Sequence, residues 1–263
     1  MNTIEFYKYQ GTGNDFVMID DRNERFDIDA HELIAKLCDR KFGIGADGLI
    51  LIRTHHTADF EMVYYNADGY QTSLCGNGSR CAVHFAAFLG MLEDECTFQT
   101  IEGILRAKIS GDQVEIKMPD VKGLEHVSHD YYLHTGSPHY VQFVEDIEKF
   151  DVYTQGNRIR NSDPYKGDGV NVNFVETIDA GRIFVRTYER GVENETYSCG
   201  TGVTAAAIVY GNLNGLSNIN IKTRGGDLQV NFQPDNENGG FCNVFLKGPA
   251  QRVFKGGIDI ESF

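Results

Sequence analysis

The sequence predicts an α+β protein of two pseudo-symmetric domains that arose by internal duplication. Each domain is expected to be a mixed, mostly antiparallel β-sheet or barrel wrapped around a buried central helix, with the active site in the interdomain cleft. Three observations carry this. Landmarks recur at a near-constant offset, a strand-like segment leads into each copy of a Cys-Gly-x-Gly motif, and an apolar helix follows each copy. The boundaries fall at residues 1–120 with 249–263 for the first domain and 121–248 for the second.

The repeat is read directly from the residues. Cys75-Gly76-Asn77-Gly78 recurs as Cys199-Gly200-Thr201-Gly202, 124 positions later. Thr12-Gly13-Asn14-Asp15-Phe16 is echoed by Thr135-Gly136-Ser137-Pro138-His139, Tyr65-Asn66 by Tyr188-Glu189, and Glu102-Gly103-Ile104-Leu105 by Gly225-Gly226-Asp227-Leu228, each at an offset of 123. One such match arises easily by chance, but four in register indicate a duplicated unit of about half the chain.

The elements follow in order. Asp29 opens a helix, with Glu32 completing a capping box and Leu33, Ile34, Leu37 and Cys38 sharing one face. Residues 60–65 and 182–188 are rich in β-branched and aromatic side chains and read as strands. Helices at 78–92 and 202–213 are apolar nearly all round, which marks them as buried. Residues 104–110 and 114–118 flank Gly111-Asp112, a favoured tight-turn pair, and form a hairpin. Tyr64 and Tyr65 read as strand packing.

Composition narrows the function classes. The 263 residues are 41% hydrophobic and 24% charged, as in a soluble globular chain. A net charge of −14 argues against nucleic acid or an anionic membrane as partner. Residues 1–10 lack an apolar signal core, and no window approaches the ~18 apolar residues of a membrane span. A cytoplasmic location is expected. The six cysteines form no CxxC pair and no zinc spacing, so no metal site is expected. His55-His56 lacks a third ligand nearby and reads as surface loop. Cys38, Cys81, Cys96 and Cys242 read as small buried side chains.

Cys75 and Cys199 differ from these four, because each precedes a Gly-rich helix start. The first turn of a helix carries unpaired N–H groups and partial positive charge. That setting favours a thiolate, and the same N–H groups can hold a carboxylate. A single motif would also serve as a plain helix N-terminus. Two copies in a duplicated chain point to two sulfurs on opposite faces of one carbon, an arrangement suited to racemisation or epimerisation. No cofactor motif is visible, and the partner expected is a small molecule.

The chain resembles the diaminopimelate epimerases over essentially its full length. The resemblance is carried by Gly11-Thr12-Gly13-Asn14-Asp15-Phe16, Gly43-Ile44-Gly45-Ala46-Asp47-Gly48, Tyr65-Asn66-Ala67-Asp68-Gly69 and Cys75-Gly76-Asn77-Gly78-Ser79-Arg80-Cys81. In the second half it is carried by Gly136-Ser137-Pro138-His139, Val170-Asn171, Glu189-Arg190-Gly191 and Cys199-Gly200-Thr201-Gly202. It implies interconversion of LL- and meso-2,6-diaminopimelate without pyridoxal phosphate, in lysine and peptidoglycan precursor synthesis. It also implies roles: Cys75 and Cys199 as the acid/base pair, and Gly76, Asn77, Gly200 and Thr201 holding the reacting carboxylate through backbone N–H groups. Asn14, Asn66 and Asn171 would bind substrate polar groups, Arg190 the distal carboxylate and Glu189 an amino group. His139 and Glu189 would influence the cysteines, and a homodimer would be the assembly.

Two positions depart from the family pattern. Gly48 stands where many members have Gln, and Ser137 where most have Asn, so the pocket is expected to be rearranged there. Three other readings stay open. A proline or hydroxyproline racemase shares the paired cysteines but usually has His at position 77. A Cys–His hydrolase would leave the second motif unexplained. A non-catalytic anion-binding module would not need thiols.

Overall fold

The computed structural model describes residues 3–72, 75–237 and 239–260. Strands β1 (Thr3–Gly11) and β2 (Asn14–Asp20) precede α1 (His31–Cys38), β3 (Gly48–Arg53), β4 (Phe60–Asn66) and α2 (Gly76–Phe88). After these come β5 (Glu95–Thr100), β6 (Gly103–Ser110), β7 (Gln113–Lys117), β8 (Glu125–Val127), β9 (Asp130–His134) and β10 (Pro138–Phe143). The chain continues through α3 (Val152–Arg160), β11 (Asn171–Asp179), β12 (Arg182–Glu189), β13 (Asn194–Thr196) and α4 (Gly200–Asn214). It closes with β14 (Asn218–Thr223), β15 (Gly226–Pro234), β16 (Phe241–Pro249) and β17 (Gln251–Asp259). Two compact units result, Met1–Ile116 with Pro249–Phe263, and Lys117–Gly248.

The duplication is visible in the strand pairing. In the first unit β1–β2 is antiparallel, β2–β3 parallel, β3–β4 antiparallel, β4–β5 parallel, and β5–β6 and β6–β7 antiparallel. In the second, β9–β10, β10–β11, β11–β12, β12–β14, β14–β15 and β15–β16 repeat that sequence of directions. Strands β3, β5 and β6 begin at Gly48, Glu95 and Gly103, and β11, β14 and β15 begin 123 residues later at Asn171, Asn218 and Gly226. Each unit is therefore a mixed, mostly antiparallel sheet, and β17 returns along β1.

Each sheet is covered on both faces, which follows from its period of two. In β2 and β3, Val17, Ile19, Leu49 and Leu51 join Ile34 and Leu37 of α1 in one cluster. The alternate residues Phe16 and Ile50 face Gly78 of α2. In the second unit Val172, Phe174 and Tyr188 pack with Val152 of α3, while Asn173 and Thr187 face Gly202 of α4. Helices α2 and α4 are the central, buried ones. Val203, Ile208 and Val209 of α4 are fully buried, each stabilising by ~1.5–3 kcal/mol. Gly215 ends α4 in the left-handed region at φ 67°, where glycine carries no Cβ penalty.

Two local expectations are corrected. Asp29 does not cap α1: the cap is Ala30, and no side chain serves it. Instead the Asp27 carboxylate accepts the Asp29 N–H and the Asp29 carbonyl accepts the His31 N–H, so a local turn delays helix entry and the capping box does not form. The central helices also begin two residues earlier than expected, directly after Cys75 and Cys199. Gly76 and Gly200, expected to precede the helices, lie inside the first turn and are buried beside their cysteines. The hairpin of β6 and β7 forms as expected, with Gly111 at φ 58°.

Candidate active site

Cys75 is the N-cap of α2, in extended conformation (φ −106°, ψ 115°), and its sulfur accepts the Gly78 N–H at 3.5 Å. The β1–β2 hairpin turns at Thr12-Gly13, both at positive φ, and delivers Asn14 to this cap. Its Oδ1 accepts from Cys75 Sγ and from Asn77 Nδ2, each at 3.4 Å. The Asn14 amide is oriented by Asp47, which accepts its Nδ2–H at 2.6 Å. Asp47 and Asp15 are in turn tied to Arg40.

Asn77 is oriented from the other side by a buried cation. Arg80 is fully buried and donates to Asn77 Oδ1 at 2.9 Å and to Thr12 Oγ1 at 3.1 Å. It also reaches the carbonyls of Gly76 and Pro249. Burial lowers its pKa only to about 10, so it stays charged at neutral pH. Asn66 ends β4, where its Oδ1 accepts the Tyr64 hydroxyl at 3.1 Å.

Gly48 pairs opposite Asn66. A Cβ there would lie 2.7 Å from the Tyr64 ring and 2.4 Å from the Tyr65 carbonyl. The room that a longer side chain would need is thus taken by Tyr64, which packs in the strand and also holds Asn66.

Cys199 is the matching N-cap of α4 (φ −118°, ψ 113°). Its sulfur lies 3.5 Å from Thr201 Oγ1. Thr201 is held by Thr135, which donates to its carbonyl at 2.8 Å, and by Ser137, whose hydroxyl is 3.2 Å from Thr201 Oγ1. Ser137 also meets His139 Nε2 at 2.9 Å and Asn171 Nδ2 at 3.2 Å. His139 Nδ1 accepts from Asn173 Nδ2 at 3.1 Å, and Asn173 Oδ1 accepts the Thr187 hydroxyl at 2.9 Å.

His139 belongs to β10 and is completely buried. Burial, with His134 and Arg190 adding smaller electrostatic effects, depresses its pKa to about 3. It is therefore neutral, and acceptance at Nδ1 places its proton on Nε2.

The remaining residues lie around this cluster. The Asn171 amide is engaged internally, with Nδ2 also donating to the Pro138 carbonyl and Oδ1 accepting the Arg190 N–H at 2.9 Å. Arg190 Nη1 donates to the Asp168 carbonyl, and Glu189 accepts the Thr196 hydroxyl. Gly76 and Gly200 are the first residues of the two helices, buried beside their cysteines.

Asn14, Cys75 and Asn77 thus meet in the first unit, and His139, Asn171, Cys199 and Thr201 in the second. Sequence reasoning missed Asp47, Arg80 and Asn173 as orienting groups. Asp47 and Arg80 stood inside the matched motifs, which was the one available signal. Burial pushes the Cys38, Cys81 and Cys96 thiols up to about 12, as for inert packing cysteines. His55 accepts N–H groups of Thr57 and Ala58 and closes its own loop. No helix among the described residues is long and apolar enough to cross a membrane.

A family model described as diaminopimelate epimerase matches residues 6–122 and again 131–253. A protein named diaminopimelate epimerase from Flavobacterium psychrophilum is 49% identical over 256 residues, covering 96% of this chain and 99% of the relative. One of the same name from Aquifex aeolicus is 40% identical, covering 98% and 99%. Among solved structures, a phenazine biosynthesis protein of the PhzF family from Bacillus anthracis superposes with a TM-score of 0.80 at 16% identity, over 99% of this chain and 100% of that one. A probable proline racemase from Agrobacterium radiobacter gives 0.69 at 14% identity, over 99% and 94%. At such identities these structures speak for the fold alone.

Proposed function

We propose, from the premise that this chain belongs to the diaminopimelate epimerase family, that it interconverts LL- and meso-2,6-diaminopimelate by passing an α-hydrogen between Cys75 and Cys199. One thiolate removes the α-proton. The electron pair left on Cα spreads into the substrate carboxylate, and the other thiol delivers a proton to the opposite face. The sulfurs exchange roles in the reverse direction, so protons balance over a forward and reverse cycle and no pyridoxal phosphate is required.

The observation that carries this reading is the pair of cysteine N-caps, one in each repeat, each followed by a glycine at the first helical position. First-turn N–H groups at Gly76-Asn77 and Gly200-Thr201 suit a carboxylate whose negative charge grows in the transition state, and such preorganised donors are usually the largest catalytic contribution. Asn14, Asn66 and Asn171 frame the amino acid head, while Arg190 and Glu189 supply the charges for the distal carboxylate and amino group. His139 acts through its neighbours. In this reading residues 1–120 with 249–263 bring one sulfur and residues 121–248 the other. The protein works as a cytoplasmic homodimer in lysine and peptidoglycan precursor synthesis.

The test is direct. Reduced protein is incubated with LL-diaminopimelate, and the meso isomer is followed by chiral separation. Cys75→Ala and Cys199→Ala are each expected to lower the rate by at least ~10³-fold. Folded wild-type protein that makes no meso isomer, or that epimerises L-proline instead, contradicts the reading.

A further inference from the structure

We propose that Arg160 and Glu193 are positioning residues for Arg190: together they lock the β12–β13 turn that presents its guanidinium, and so set the affinity for a substrate with a second carboxylate. This rests on the reading above, which gives Arg190 the distal carboxylate, and goes beyond it by naming the groups that hold Arg190 in place.

The two repeats build this turn differently. In the first, the turn after Asn66 closes at Gly69, which sits at φ 89° and donates its N–H to the Asn66 carbonyl at 3.0 Å. In the second, the turn after Glu189 closes at Glu193, which sits at φ 55° and donates its N–H to the Glu189 carbonyl at 2.8 Å. Asn66 and Glu189 are 123 positions apart, whereas Gly69 and Glu193 are 124 apart, the separation of Cys75 and Cys199. The second turn is thus one residue longer, and a glutamate holds the left-handed position that glycine fills in its twin. Left-handed backbone is uncommon for a residue with a Cβ. The Glu193 side chain therefore offsets a backbone cost that glycine would avoid, and such strain tends to persist at functional sites.

Its carboxylate makes three bonds. Oε1 accepts the Gly191 N–H at 3.1 Å and Arg160 Nε at 3.0 Å, and Oε2 accepts the Tyr188 hydroxyl at 3.2 Å. Burial opposes ionisation there, but the Gly191 N–H, Arg160 and Tyr188 outweigh it and hold the carboxyl below its ordinary pKa. Gly191 directly follows Arg190, so the carboxylate fixes the chain one residue from the guanidinium it presents.

Arg160 reaches this turn from α3. Gly156 lets that helix press onto β12, since a Cβ there would lie 2.3 Å from the Tyr188 Cβ. Asn157, next along the helix, donates to the Tyr188 hydroxyl at 3.0 Å, and Arg160 follows one turn after Gly156. Arg160 and Arg190 then flank Gly169, where a Cβ would lie 2.9 Å from Arg160 Cζ and 2.8 Å from Arg190 Cδ. Two cations so placed repel each other, and Glu193 neutralises Arg160. Arg190 is held instead by neutral acceptors, its backbone N–H by Asn171 Oδ1 and its Nη1 by the Asp168 carbonyl. These fix it without cancelling its charge.

The distal carboxylate carries the same charge in the bound substrate and in the transition state. A displaced Arg190 weakens both alike, which raises KM and spares kcat. Glu193→Gly removes the carboxylate while relieving the backbone, and Arg160→Met removes the cation while keeping much of its bulk. Each is expected to raise KM for LL-diaminopimelate about 10- to 100-fold, with kcat within about threefold of wild type. The double variant should lose no more than the worse single one, because one pair is broken in all three. In the free protein, amide exchange at Gly191, followed by NMR, should quicken at least about tenfold in Glu193→Gly. An unchanged or lowered KM in the folded variants, a loss confined to kcat, losses that multiply in the double variant, or unchanged Gly191 exchange would each overturn the proposal. Should Arg160→Met not fold, Glu193→Gly decides alone. Wild-type protein that makes no meso isomer refutes the epimerase reading; faster Gly191 exchange in Glu193→Gly then still supports the lock, and unchanged exchange overturns it.

Discussion

Asp47 accepts the Asn14 amide N–H at 2.6 Å and so decides which end of that amide faces Cys75. Asp47 itself is partly exposed and bridged to Arg40, so its loss costs the fold little, ~1 kcal/mol or less. Asp47→Ala frees Asn14 to rotate. We expect kcat/KM to fall between ~10- and ~100-fold, as for a misplaced positioning group, with thermal stability nearly unchanged. A loss of activity that merely tracks a lowered Tm would contradict this.

The two helix starts should differ in tolerance. A Cβ at Gly202 would sit 2.3 Å from Asn173 Oδ1 and 3.3 Å from the Cys199 Cβ. Asn173 cannot yield without releasing His139 and Thr187. At Gly78 the nearest atoms, 3.1–3.4 Å away, belong to the side chains of Ile50 and Phe16. Gly202→Ala is expected to destabilise by ~1–3 kcal/mol and to disturb Cys199, whereas Gly78→Ala should cost less than ~1 kcal/mol. Calorimetry of the two variants compares them, and equal losses would mean that the Asn173 cluster has slack.

His139 makes stability depend on pH in a definite window. Its folded pKa is depressed to about 3, below the unfolded value of ~6.5. Between these values the unfolded chain binds the proton and the native one does not, so stability falls as pH falls from ~6.5 towards ~3. The difference between pH 7 and pH 5 is on the order of 2 kcal/mol from this group alone. Urea titrations at the two pH values should show a smaller drop in His139→Gln, even where that variant starts less stable. An identical drop in both proteins would place the titrating group elsewhere.

Much of the fold was legible because its signals are local or repeat. The constant offset exposed the duplication, and it reappears as the same order of parallel and antiparallel pairings. The cysteines stood out because glycines crowd behind each of them. What escaped notice depends on contacts across long separations. Asp47 acts on Asn14 from 33 positions away, Asn173 on His139 across paired strands, and Arg80 sits as a buried charge in a helix that otherwise reads as apolar. Glycines at 76 and 200 stood outside the expected helices because glycine is a poor helix former, whereas their burial, which propensity does not encode, places them in the first turn. The missing cap at Asp29 has the same origin, since a competing turn with Asp27 captured it.

The central claim is that two different sulfurs serve the two faces of one carbon. The most direct test is the early time course of LL-diaminopimelate in deuterium oxide, with the isomers separated and weighed by mass spectrometry. The account predicts that newly formed meso product carries one solvent deuterium at the inverted carbon, while recovered LL substrate remains unlabelled. Deuterium entering recovered LL substrate as fast as it enters product, or product that keeps its original hydrogen, would mean that a single base works one face, and would contradict the account.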